Sequence, residues 1–236
     1  MKDEKFELDW LLKNDVHTTF EQLLQILTDC SSSMESQAPT QLNLSYGGVN
    51  NLDIVRVGLT LDKFKIINSD INIKLSSKHP VHTIRTCIKD TPWRLFQIQD
   101  SANHLSAAID LLSRPNQFES AEELSYFIDQ VMNCLLRGKS SLMIPKTSSI
   151  EELQHSQNMQ SIIPALPLDF SISFYIQAHN LICSVYQLTQ VNNRPQIKAE
   201  YQAEAGIPYL SDVLVFFSLG LQICQQFKDK LLTLTT

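Results

Sequence analysis

Ile207-Pro208-Tyr209-Leu210-Ser211-Asp212, running on through Leu221-Gln222-Ile223-Cys224-Gln225-Gln226-Phe227-Lys228-Asp229-Lys230-Leu231, reads as one long helix. Proline in a first turn costs nothing, because that N–H has no partner inside the helix, and lysines near the far end suit the negative pole of the helix dipole. Leu210, Val213, Leu214, Phe217, Leu221, Cys224 and Leu231 recur at spacings of three and four and line one face. Such a face needs partner helices, so the stretch predicts a bundle.

Three further helical patterns supply the partners. The first spans about Lys5 to Cys30, with Phe6, Trp10, Phe20, Leu24 and Leu27 on one stripe and Leu12, Val16, Leu23 and Ile26 beside it. It is expected to end at Ser31-Ser32-Ser33, followed by a polar linker that reaches Thr40. A second begins after Trp93-Arg94-Leu95 and carries Ile98, Ala102, Leu105, Ile109 and Leu112 until Arg114-Pro115 stops it. The third opens on Ser120 with Glu123 three residues on, a capping box, and runs through Leu124, Phe127, Ile128, Val131 and Leu135 to about Gly138.

Between these patterns the period switches from helical to twofold. Gln41–Tyr46, Ile54–Leu61, Asp70–Leu75 and Val81–Ile88 alternate apolar and polar residues. Gly47-Gly48, Asn50-Asn51, Asn68-Ser69 and His79-Pro80 are the turns expected between them. Asp169–Ile176 and Leu181–Leu188 alternate again around His179-Asn180, and Ile197–Tyr201 reads as a third strand of this block. One face of such a sheet is buried and the other wet. Residues 140–163 read as a long connection with one helical turn near Ile150 to Leu153.

The pattern therefore predicts an α+β fold: an antiparallel four-helix bundle formed with both chain ends, plus an inserted antiparallel β-sheet lobe. The helical domain takes 1–33, 96–165 and 206–236; the sheet domain takes 41–95 and 166–205.

Composition narrows the class. At 236 residues with 43% hydrophobic residues and 6 glycines, the chain can bury a stable core without staples. The five cysteines, Cys30, Cys87, Cys134, Cys183 and Cys224, are far apart and sit mostly in apolar runs, which reads as a reduced, intracellular chain. The charged start Met1-Lys2-Asp3-Glu4-Lys5 does not resemble a secretory leader. The longest uncharged apolar stretch, between Asp212 and Lys228, is 15 residues against the ~20 of a spanning helix, so no membrane span is expected. A net charge of −6 offers no broad attraction for nucleic acid or anionic lipid.

Candidate chemistry is sparse. Asp100 and His104 stand at i and i+4, side by side on a helix, where they read as a structural polar pair at the junction of bundle and sheet rather than an oriented base. His17, His79, His82 and His104 lack the spacings of a zinc site, and neither a Walker pattern nor Gly-x-Gly-x-x-Gly is present around Gly47-Gly48 or elsewhere. No catalytic, cofactor or metal residue is assigned. Trp10, Trp93 and Tyr209 read as seals at the ends of a core, with interface anchors as the alternative.

Several blocks carry a resemblance. Trp10-Leu11-Leu12, Asp15-Val16-His17, Gln97-Ile98-Gln99-Asp100, Asn103-His104, Ala165-Leu166-Pro167, Tyr186-Gln187-Leu188 and the final helix, in that order, resemble the Rogdi family over nearly the whole chain. The resemblance implies a helical domain with a smaller sheet domain, and a non-enzymatic adaptor role in the complex that promotes assembly of the vacuolar-type proton ATPase. It implies a large WD-repeat partner of the rabconnectin or RAVE type, with the ATPase peripheral sector reached directly or through it. The implied location is cytoplasmic and partly peripheral on endosome, vacuole or vesicle membranes, with room for a nuclear fraction. The competing reading is a self-associating leucine-zipper protein, although the apolar stripes are wider than a zipper seam and have partner helices in the same chain.

Overall fold

The structure, a computed structural model, describes residues 15–47, 53–75, 82–114, 117–146, 149–191 and 194–235. Its elements run α1 (Val16–Glu35), β1 (Thr40–Gly47), β2 (Ile54–Asp62), β3 (Lys65–Leu75), β4 (His82–Ile88), β5 (Trp93–Arg94) and α2 (Phe96–Leu112). They continue through α3 (Ala121–Met143), α4 (Ile150–His155), a 3-10 turn (Gln157–Ser161) and β6 (Ile162–Ile163) to β7 (Phe170–Gln177), β8 (Asn180–Val191), β9 (Arg194–Gly206) and α5 (Pro208–Thr235). The chain divides into two compact units: a helical one from described residues within 1–36, 100–141 and 209–236, and a sheet one within 37–99 and 142–208.

An antiparallel four-helix bundle with a small inserted sheet lobe is not the architecture. Among the described residues there are five α-helices and a curled, half-barrel antiparallel sheet. The two strand blocks, expected together in one sheet domain, are joined where Ser45 of β1 faces Glu204 of β9, giving the order β6-β4-β3-β2-β1-β9-β8-β7, with β5 pairing β3 beside this path. Local periodicity cannot report a pairing between residues so distant in sequence.

Alternation sets the two faces of this sheet. Leu44, Val57 and Ile71 lie in register on one face, as do Ile172, Val185 and Tyr201, and all six are buried. The opposite face carries Ser45, Arg56, Glu200, Gln202 and Glu204, all exposed. The turn between β2 and β3 is at Lys63-Phe64, where Lys63 has φ 54, and not at Asn68-Ser69. Those two residues lie inside β3, one register shift beyond the turn, and the Ser69 hydroxyl is buried because it accepts a hydrogen bond from Ile88 N–H (3.1 Å).

In the helical unit, α1 continues five residues past Cys30, through the three serines. Ser31 and Ser36 hydroxyls bond within the helix or its cap, to Glu35 and to the Ser32 carbonyl, and Met34 is buried, so a polar run does not end it. The Phe20 ring meets those of Phe118 and Phe127 at 6.0 and 5.3 Å, and Cys30 Sγ lies 4.0 Å from the Val213 carbonyl. Gly138 does not end α3, because it sits under the Phe217 ring of α5, where a side chain would collide. The lysines of α5 fall short of its last turn and pair instead with neighbouring segments, Lys228 with Asp129 and Lys230 with Asp15. Among the described helices, α5 is long and apolar enough to cross a membrane by length and composition, and 33% of its most apolar window is buried.

Candidate functional site

The residues singled out from sequence do not converge. Asp100 is exposed, His104 half-buried, and among the described residues no hydrogen bond or ion pair joins them; the polar pair expected there does not form. The reason is local: the Cβ of His104 faces Gly138 across the helices, while Asp100 points to water. His17 is exposed and stands 3.4 Å from Glu21. His79, Trp10 and Gly48 lie outside the described residues, as does the side chain of His82. Among the described residues no three metal-ligating side chains come together. Trp93 is buried with its ring 5.2 Å from that of Phe174, and Tyr209 is buried too, its hydroxyl pushed up to about 12 by burial; both seal a core.

What the structure does build is a cleft of about 460 Å³ in the sheet unit, between the segment Trp93–Gln97 and the edge strand β7. Gln97, the first residue of a block that reads as family-like, holds its upper end. The amide Nε2 donates to the carbonyls of Ile144 (2.9 Å) and Ile176 (2.8 Å), and Oε1 accepts from Ile176 N–H (2.8 Å). The buried side chain thus serves the edge of β7 as a peptide group of a neighbouring strand would. Asn158 does the same on the other side, donating to the Arg94 carbonyl (3.2 Å) and accepting from Arg94 N–H (3.3 Å).

The lower wall is α4. Ser149 and Glu152 form a reciprocal capping box, so the single turn expected near Ile150 to Leu153 is a capped helix and the Glu152 carboxylate is occupied at its N-terminus. Arg94 and Lys146 stand exposed at the rim, Lys146 Nζ 5.9 Å from the centre of the Phe96 ring, and among the described residues neither has an acidic partner. Cleft and rim were invisible in sequence, because nothing in the alternation of Phe170–Ile176 says that β7 is an edge.

With this geometry in hand the relatives can be placed. The family model described as "Rogdi leucine zipper containing protein" matches residues 7–233. The chain belongs to the Rogdi family. It is 38% identical to "Protein rogdi" of Drosophila melanogaster over 239 residues, covering 96% of this chain and 87% of the fly protein. "Protein rogdi homolog" of Danio rerio is 32% identical over 260 residues (95% and 91% covered), and that of Homo sapiens 30% over 259 residues (95% and 90%). The Rogdi names state no enzymatic activity.

Proposed function

We propose that this Rogdi-family chain is a non-enzymatic adaptor subunit of a complex that promotes assembly of the vacuolar-type proton ATPase, and so supports organelle acidification. It binds a large WD-repeat subunit of the rabconnectin or RAVE type and reaches the ATPase peripheral sector directly or through that subunit. The chain works in the cytoplasm, with a fraction held peripherally on acidic organelles through protein contacts.

The observation that carries this reading is the family match over residues 7–233, since the adaptor role is what resemblance to the Rogdi family implies. The geometry is compatible with holding rather than converting: among the described residues the side chains of Asp100 and His104 have no hydrogen-bond or ion-pair partner, and Gln97 is spent on backbone groups instead of facing a substrate. A chain of this size can present a patch of ~800 Å² to a partner.

A second reading, self-association, has one observation in its favour: Val215 and Leu219 of α5 are 56% and 41% exposed, on a helix of a family described as zipper-containing. Affinity purification from the source cell, with luminal pH and ATPase assembly measured in cells lacking the protein, separates the two. Recovery of a WD-repeat subunit and weakened acidification are expected. Normal luminal pH with a fully assembled ATPase, or recovery of the chain alone, overturns the adaptor reading.

A further inference from the structure

We propose that the strap Ile163-Pro164-Ala165-Leu166-Pro167-Leu168 is a docking motif that a protein partner grips, as a polyproline-type segment, in a groove lined by aromatic rings. The inference concerns the strap alone and stands whether or not the partner belongs to an ATPase-assembly complex.

Exposure makes the first argument. The strap is apolar throughout and leaves the sheet from β6, at one end of the strand order. Ile163, Pro164, Ala165, Pro167 and Leu168 are exposed, Leu168 at 96%, while Leu166 is half-buried and roots the strap to the sheet unit. Folded chains seldom leave such a run uncovered unless it serves a contact. Both ends are nonetheless pinned. Ile163 pairs with Cys87 of β4, the Thr86 hydroxyl donates to the Pro164 carbonyl (2.7 Å), and Phe170 N–H donates to the Pro167 carbonyl (2.9 Å). That last bond closes a turn with Leu168 at its corner. A segment already fixed at its ends loses little freedom on binding.

The backbone identifies the occupant. Proline has no N–H and holds φ at about −65°, and the residue before it is pushed to extended values, so Pro164, Leu166 and Pro167 are all biased toward polyproline geometry. Residues 165–167 form neither helix nor strand, and among the described residues the amides and carbonyls of Ala165 and Leu166 make no hydrogen bond. In polyproline geometry three residues make one turn, which brings Pro164 and Pro167 to one side about 9 Å apart, with two open carbonyls between them. A groove of tryptophan and tyrosine rings answers each feature: the rings pack on the two prolines, and an indole N–H or phenol O–H donates to the Ala165 or Leu166 carbonyl. Leu168 fills an adjoining apolar seat. A bilayer is the poorer match, because the strap has no aromatic or basic residue to hold an interface and the chain carries a net charge of −6.

The test titrates fluorescein-labelled SH3, WW and EVH1 domains, the standard readers of polyproline segments, with the full chain and follows anisotropy. At least one domain is expected to bind saturably, and hydrogen exchange at the Ala165 and Leu166 amides to slow in the complex. Leu168→Asp, at a side chain almost wholly in solvent, should weaken binding about tenfold or more while the chain melts normally. The double variant P164A/P167A should lose a similar factor. Leu232→Asp, at another exposed leucine of the chain, should bind as the parent does. No binding by any domain up to about 1 mM, or binding indifferent to both Leu168→Asp and P164A/P167A, overturns the proposal. An equal loss in Leu232→Asp also overturns it, since the contact would then be unspecific. So does a dimer of the full chain that Leu168→Asp disperses, which makes a second copy the occupant. Leu168-dependent binding to vesicles of phosphatidylcholine and phosphatidylserine, without binding to any domain, gives the strap to lipid and overturns it too.

Discussion

A Cβ added to Gly138 would lie 2.7 Å from two carbons of the Phe217 ring and 3.4 Å from the Cβ of His104, so this glycine is selected by packing and not by backbone conformation. Phe217 is fully buried and its ring cannot swing into solvent. Gly138→Ala is expected to destabilise the chain by about 1–3 kcal/mol, the usual cost of overpacking a filled core. Phe217→Leu alone opens a cavity, yet in the G138A background it should recover part of the loss, because the added methyl then occupies vacated space. Urea unfolding of the two single variants and the double variant measures the coupling, and strictly additive losses would contradict the contact. Gln97 teaches the same lesson in polar terms. Its amide is surrounded by backbone groups that water does not serve, so its place in a family-like block reflects the fixing of β7 to the start of α2.

Among the elements, those legible in the sequence were the ones whose information is local. Gln41–Tyr46 and Ile54–Leu61 alternate and fall in β1 and β2; the helical turn near Ile150 to Leu153 falls in α4; Pro208 opens α5. What escaped was non-local. The two strand blocks were expected in one sheet domain, but only the tertiary fold shows that they meet where Ser45 faces Glu204 and that β7 lies at an edge. Asn68-Ser69 has turn composition but sits inside β3, since a hydrogen bond to Ile88 N–H makes a buried serine acceptable there. Helix α5 is the element with the most at stake, contributing Leu210, Val213, Phe217, Cys224, Phe227 and Leu231 to buried surface. Removing everything after Gly206 returns the facing apolar residues of α1 and α3 to water at ~25 cal/mol per Å², against a total stability of ~5–15 kcal/mol. The truncated chain is expected to lose cooperative unfolding altogether. A soluble product melting sharply at the temperature of the full chain would show that α5 is dispensable.

At the scale of the whole molecule, buried thiols make stability depend on alkaline pH. Cys30 and Cys224 in the helical unit are pushed up from 9.0 to about 12, and Cys183 in the sheet unit is raised as well, in each case chiefly because burial penalises the thiolate. The folded chain therefore keeps these protons at a pH where the unfolded chain has released them. With fewer protons bound in the unfolded state, the slope of unfolding free energy against pH is negative. The stabilisation is complete below pH 9 and is lost as pH climbs toward 12. Each thiol contributes up to about 1.4 kcal/mol per pH unit across that window. Tyr186 and Tyr209, raised from 10.0 to about 12 by burial first of all, act in the same direction from pH 10 upward. Urea midpoints should hold steady below pH 9 and then fall progressively. Replacing Cys30, Cys183 and Cys224 together by alanine lowers the midpoint at neutral pH through lost packing, but flattens the decline between pH 9 and 10, where unfolded thiols ionise ahead of unfolded tyrosines. An unchanged decline in that interval would place the alkaline sensitivity on other groups and show that the three thiols ionise without unfolding.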